Sequence, residues 1–433
     1  MVGSTYARLL RNANFLRIFS AGIGSYAGTS IAAVCLVWLV AADTGSALDV
    51  GFLGVAALVP AILVSTLGGT LVDRFDRRRL MVISDVVRAL ALGAVAAVLW
   101  TRGFDLATVL AASAVVGGFT VIFNPAEQAL VPAIVSESEV ADANGLVGSS
   151  RSAFQFVGAA VAGVLIVTVG PVTGVAVNAA TFAISAALIS GMLTPRFVPD
   201  PARPGYLADL RGGFAWLWKA QGFFQLTMSA MVFNFCSTVV GTFLVFYVTE
   251  VLHASALVFA ALQAAQVAGL SLGSLLVGRL GAVRYAGKAW VVPYGIVSGV
   301  LALALPLWPF APAAIGVMFV LGALGGFAGT AWLTAAQLLV PAEMQGRYYG
   351  IDGLGSYAIL PAAEVGGALL IGAFGTSRTY LIAAIVWVIA GAAFLFARAL
   401  WDLAVPPGRL GLTPHSDGDA AETPGSRGGT PGA

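Results

Sequence analysis

GGTLVDRFDRRRL, residues 68–80, sets four arginines (Arg74, Arg77, Arg78 and Arg79) and two acids (Asp73 and Asp76) between two long apolar runs. Lys and Arg collect on the cytoplasmic flanks of membrane spans, so this segment reads as a tight cytoplasmic turn between two helices. Working outward, apolar runs follow one another at 17–41, 50–72, 80–101, 106–124, 145–169, 172–193, 223–249, 255–280, 289–309, 313–335, 349–374 and 379–400. A bilayer core about 30 Å thick takes roughly 20 apolar residues of helix. Each run fits one crossing, and there are twelve. In lipid the backbone must pair within its own segment or in a closed barrel. The runs lack the ten-residue alternation of barrel strands, so the fold class is an all-α polytopic membrane protein.

Composition agrees. Of the 433 residues 59% are hydrophobic and only 10% charged, against about a quarter charged in soluble domains. The net charge of +2, from 22 Lys+Arg and 20 Asp+Glu, offers no field for nucleic acid. Location matters more than the sum. Eighteen of the 22 bases lie on one side: before or at the start of the first run, in or at the edge of the even-numbered gaps, and at or after the end of the last run. Only Arg102 and Arg378 lie on the opposite side, and Arg88 and Arg151 fall in run interiors. That asymmetry predicts a multi-pass protein of the inner (plasma) membrane with both termini cytoplasmic. The N-terminus, MVGSTYARLLRNANFLR, has no short apolar core followed by a small-residue cleavage site, so no cleaved signal is expected. Cys35 and Cys236 both sit in apolar runs, where cysteine behaves as a small buried side chain.

The longest polar break, 194–222, contains Pro195, Pro199, Pro201 and Pro204. Its second part, YLADLRGGFAWLWKAQ, spaces Leu207, Leu210, Phe214, Leu217 and Trp218 as an interfacial helix would. The expected division is a six-helix bundle over 1–193, a cytoplasmic linker over 194–222, a second bundle over 223–401 and a disordered cytoplasmic tail over 402–433, rich in Gly, Pro and small polar residues. An internal repeat supports two halves of parallel topology. AEQALVP at 126–132 recurs as AAQLLVP at 335–341, displaced by 209, and GGF at 117–119 recurs at 325–327, displaced by 208. More loosely, GGTLVDRF from Gly68 matches GSLLVGRL from Gly273.

Twelve helices as six plus six, a long central loop and the 68–80 turn together resemble the major facilitator superfamily. Gly69, Asp73, Arg74, Arg77 and Arg78 match its signature between the second and third helices, while Asp76 stands where many members have Gly. RNANFLR at 11–17, SDVVRAL at 84–90, NPAEQALVPAIV at 124–135 and ADANGL at 141–146 are similar to the branch holding the enterobactin exporter and macrolide efflux pumps. Drug antiporters of the superfamily often carry Gly-Pro in the fifth helix. Here GAAVAG at 158–163 has Ala159 in place of that proline.

The resemblance implies a cytoplasmic latch in which Asp73, Arg74 and Arg77 hold the halves together in one state, with Asp85, Arg88 and Glu127 as candidate partners. Asp85 and Arg88 lie three apart and share a helix face. Arg78 and Arg79 read as topology anchors; the acid at Asp73 adds nothing to insertion and reads as part of the latch.

Glu364 lies mid-run in YAILPAAEVGGALLIGAF, with no other charge within ten residues. A charge at a helix centre costs about 2.5–3.5 kcal/mol on translocon scales, and such residues face a cavity or a partner. Subtracting the repeat displacement gives Gln155, with Arg151 one turn before it. In the superfamily the fifth and eleventh helices line the central cavity, so the resemblance places Glu364 opposite Arg151 and Gln155, for proton coupling or an amphipathic substrate. The alternative for Glu364 is a hydrogen bond to a neighbouring helix near Pro361. Gln128, Asn234, Gln263, Gln266 and Gln337 read as interhelical contacts.

No GxxxxGK[ST] cradle, HExxH pair or Cys/His cluster is present, so the expectation is no enzyme, no cofactor and no metal. The leading reading is a monomeric secondary transporter, exporting small amphipathic molecules of drug or siderophore type against proton entry. The alternatives are a uniporter or importer of a metabolite or lipid, and a non-transporting membrane sensor.

Overall fold

The computed structural model describes residues 2–193, 206–280, 285–341 and 358–405, together with Met344, Gln345, Tyr348, Ile351, Asp352, Gly353 and Gly355. Among them there is no strand, and eleven helices are long and apolar enough to cross a membrane, with Leu360–Phe374 a shorter twelfth. The N-terminal set is α1 (Val2–Arg11), α2 (Ala13–Thr44), α3 (Ala47–Arg74), α4 (Arg77–Arg102), α5 (Leu106–Ile134), α6 (Val140–Thr168) and α7 (Pro171–Ser190). After α8 (Tyr206–Lys219) come α9 (Gln221–Thr242), α10 (Leu244–Phe246), α11 (Ala256–Leu280), α12 (Ala286–Ala289), α13 (Ser298–Leu307), α14 (Ala311–Leu339), α15 (Leu360–Phe374), α16 (Thr376–Phe394) and α17 (Arg398–Trp401).

Local chemistry sets the ends. Asn12 accepts from the amides of Asn14 and Phe15 to start α2, and Gly45, at φ 61°, closes it in the left-handed region. Asp76, the residue that departs from the superfamily signature, caps α4 by accepting from the Arg79 amide at 2.9 Å. Asp105 caps α5 through the amide of Thr108 and its hydroxyl, and these hydrogen bonds hold its exposed carboxyl below the usual carboxylate range. The fourth run was expected to end at 124, before Pro125. Instead α5 continues through Pro125 and Pro132 to Ile134, as membrane helices tolerate proline where neighbours re-satisfy the backbone. The ninth span changes pitch: α12 passes into a π-helical turn, Trp290–Val297, before α13. Pro293 lies in that turn, and its missing N–H removes one α-helical hydrogen bond.

Each half repeats one close crossing. In the first, α3 meets α5, where a Cβ on Gly117 would overlap the Ala57 carbonyl. In the second, α11 meets α14 through Gly269 and Gly273 on one helix and Gly322 and Gly326 on the other. Glycines four apart on both partners let the backbones touch.

The halves meet at the end where the chain turns at 45–46, 103–105, 169–170 and 252–255. There α6 packs on α11, with Gly163 against Ala256, Leu257 and Ala260, and α3 packs on α15, with Gly51 against Glu364 and Ala368. Trp38 of α2 meets Phe259 of α11 with ring centroids 5.9 Å apart. One apolar core, including Cys35, Val50, Ala162, Phe243 and Ala260, runs through both halves at this joined end. Toward the other end the halves keep separate cores, one around Phe15, Met81 and Val131 and one around Phe223, Trp290 and Tyr348. The molecule is thus shut at the joined end.

Residues 194–205, the first part of the expected linker, and 406–433, most of the expected tail, lie outside the described residues, as do the side chains of Asp73 and Arg74.

Candidate functional site

Beneath the joined end lies a cavity of about 720 Å³, walled by α2, α3, α5, α9, α11 and α15 together with single residues of α4, α6 and α7. Its wall is largely aliphatic, with Ser30, Ser113, Asn178, Gln263 and Gln266 among the polar exceptions. Glu364 is the one ionisable side chain on it among the described residues. Glycines at 366 and 367 let this helix lie close to α9, and Gly51 and Gly54 of α3 let it lie close to α3. Glu364 is 5% exposed. Its Oε1 accepts from the Thr242 hydroxyl at 2.9 Å, and its Oε2 has no hydrogen-bond partner. The carboxyl group rests on Gly54 of α3: a Cβ there would fall within 2.7 Å of both oxygens. A proton acceptor that belongs to one half therefore touches the backbone of the other.

Arg151 does not face Glu364. It donates to Glu127 Oε2 at 2.7 Å and to the Tyr26 hydroxyl at 3.3 Å, while Tyr26 donates to Glu127 Oε1 at 2.6 Å. The guanidinium also lies 4.8 Å from the centre of the Tyr26 ring. Arg151 is one-third exposed, and the acid it pairs with, 3% exposed, is on the preceding helix of the same half. Gln155 accepts from Ser30 through its main-chain carbonyl at 2.8 Å and is not part of the cavity wall.

Asp85 and Arg88 form an ion pair with each other on α4, at 0% and 4% exposure of their side chains. Ser185 donates to the second oxygen of Asp85 at 2.5 Å, and the Arg88 guanidinium is sandwiched between Phe123 at 4.5 Å and Phe182 at 4.2 Å. These contacts tie α4 to α5 and α7, so both residues, like Glu127, are engaged inside the N-terminal half. Arg77 donates to the Ala129 carbonyl at 3.0 Å near the end of α5, and Arg78 to the Ile189 and Ser190 carbonyls at the end of α7. Cations there complement helix C-termini. In this conformation Arg77 holds its own half rather than the other.

Sequence reasoning overlooked four residues. Tyr26 and Thr242 carry ordinary hydroxyls 101 and 122 residues from the acids they serve. Gly54 was one of 53 glycines. Asp352, 4% exposed, accepts from Thr227 at 2.6 Å on α9; an acid in an apolar stretch was its available signal.

Residues 18–363 match the family model described as Major Facilitator Superfamily. The chain is 26% identical over 400 residues to the multidrug efflux pump Tap of Mycolicibacterium fortuitum, covering 90% of this chain and 96% of that one. Among solved structures, the nucleoside transporter NupG (D323A mutant) superposes with a TM-score of 0.73 at 11% identity, covering 89% of this chain and all of the other. A D-xylose–proton symporter superposes with a TM-score of 0.66 at 13% identity, covering 92% and 98%. The structural likenesses carry the fold.

Proposed function

The chain belongs to the major facilitator superfamily, and from that premise we propose that it is a proton-coupled exporter of small amphipathic molecules, drug-like in kind, working by alternating access in the inner membrane. One observation carries the reading. The acid on the cavity wall, Glu364, has one oxygen held by Thr242, one oxygen free, and its carboxyl group seated on Gly54 of the opposite half. Protonation there changes a charge at the contact between the moving parts, which is what coupling needs. With no base on the wall among the described residues, Glu364 favours cationic cargo, and the similarity to Tap supports export of drugs. Both termini are cytoplasmic in this reading, so the joined end is external, the present conformer is closed to the outside, and Asp73, Arg74 and Arg77 serve a cytoplasmic latch that forms on closure of the other side. Gln155 and Arg151 support the cavity wall from behind, and the working unit is the monomer.

The test is transport in proteoliposomes under an imposed pH gradient, with a hydrophobic cation as cargo. Glu364→Gln abolishes gradient-driven accumulation but leaves downhill exchange. Accumulation that persists in Glu364→Gln refutes the coupling role, and exchange that never responds to a pH gradient favours a uniporter.

A further inference from the structure

A second cavity, of about 340 Å³, lies inside the C-terminal half among α9, α11, α14, α16 and the π-helical turn. It adjoins the central cavity: Thr238, Gln266 and Val267 line both. Its volume falls at the low end of the range of about 300–1,000 Å³ seen for small-molecule pockets, too small for a whole drug-sized molecule and ample for one ring system.

Two aromatic side chains, Tyr294 and Trp387, stand among aliphatic and polar residues in its wall. Tyr294 and Trp387 meet edge to face, with centroids 5.6 Å apart and planes at 82°, and the indole N–H donates to the Tyr294 carbonyl at 3.1 Å. Trp290 and Phe233 brace Tyr294 from behind, at 5.2 and 5.8 Å. Tyr294 reaches the pocket from within the π-helical turn at Trp290–Val297, and such turns recur at functional sites. Met318 adds a deformable thioether to the lining. The α14 side is open at Gly325, where an added Cβ would stand 3.4 Å from the Tyr294 ring. Position relative to Glu364 matters most. Thr242 holds the carboxylate, and Thr238 at the mouth of this pocket lies one turn away on the same face of α9, about 6 Å along the axis.

We propose that this side pocket is a subsite for the aryl group of an amphipathic cation whose charged end sits at Glu364, and that it sets which cargo the protein selects. The proposal rests on the transporter reading above, but its test needs no gradient. Binding of tetramethylammonium, benzyltrimethylammonium and (1-naphthylmethyl)trimethylammonium to the purified full chain in detergent is measured by calorimetry. In the wild type, affinity rises by about tenfold or more from the first to the last, as burial of a naphthyl face predicts. Gly325→Leu fills the pocket and removes that gain while leaving tetramethylammonium binding unchanged; Gly325→Ala falls between. Should Gly325→Leu fail to fold, Tyr294→Ala, which removes one wall, loses the gain instead. A gain that survives in the folded variants, or no gain in the wild type, overturns the proposal. So does an alkyltrimethylammonium of equal carbon number that binds as tightly as the naphthyl probe. Failure of Glu364→Gln to uncouple transport would remove the coupling role alone and leave this size dependence standing.

Discussion

Gly163 and Gly51 set how closely the halves approach at the joined end. A Cβ on Gly163 would stand 2.5 Å from the Ala260 Cβ and 3.3 Å from the Ala256 carbonyl oxygen; one on Gly51 would stand 2.7 Å from the Glu364 carbonyl oxygen. Carbon atoms rest about 3.5–4.0 Å apart, and neither a Cβ nor a carbonyl can rotate aside. Gly163→Ala therefore drives α11 from α6 by about 1 Å, at the cost of about 1–3 kcal/mol that overpacking exacts. The strain exists only while the halves touch here, so a conformer opened at this end escapes it. The equilibrium moves toward that conformer by about tenfold for each 1.4 kcal/mol, and the two sites add where they act independently. Nitroxide labels at Arg102→Cys and Trp308→Cys, on exposed flanks of the two halves, report the change as a distance distribution; the native Cys35 and Cys236 are wholly buried. Gly93→Ala, whose Cβ would meet nothing within 4 Å, is the control. A longer-distance population that fails to grow in Gly163→Ala and in the Gly51→Ala/Gly163→Ala double variant, both folded, refutes the argument.

The Asp85–Arg88 pair gives a stability prediction. Arg88→Met leaves a wholly buried carboxylate without its cation and costs about 3–5 kcal/mol, read as a lower melting temperature in detergent; adding Asp85→Leu recovers most of the loss, and a double variant no better than the single would sink the account. Asp105 supplies a pH dependence. Its folded carboxyl is held below its unfolded range, so its contribution is present above the unfolded value and lost as pH falls through the folded one. Hydrogen exchange of the Thr108 amide, corrected for its intrinsic pH dependence, is expected to lose protection over that fall, and to show no such step in Asp105→Asn.

Bilayer thickness made most of the fold readable, because a span of fixed length leaves a plain hydropathy record and arginines mark one side of it. Where α5 ends was not readable. Pro125 and Pro132 look like terminators, and only neighbouring helices make them tolerable. Glu364 stood out because an acid so far from other charge is costly in lipid. Its neighbours did not, since Thr242 and Gly54 are ordinary residues distant in sequence. The repeat displacement carried Glu364 to Gln155 on the corresponding helix, yet arithmetic along the chain does not set how a helix is rotated, and Gln155 meets α2 through its backbone. Helical spacing from Gln155 and the superfamily resemblance put Arg151 on the cavity; neither carries Glu127 and Tyr26, whose closeness is tertiary.

The two ion pairs within the spans differ in a way that bears on how the chain enters the membrane. Asp85 and Arg88 are neighbours on one turn of α4, so that segment can leave the translocon already neutralised. Glu127, 3% exposed, and Arg151, one-third exposed, sit on consecutive spans, 24 residues apart, and Glu127 alone would present an unpaired charge that opposes insertion. The later span supplies what the earlier one lacks, so α5 and α6 are best released into the bilayer together, as a hairpin.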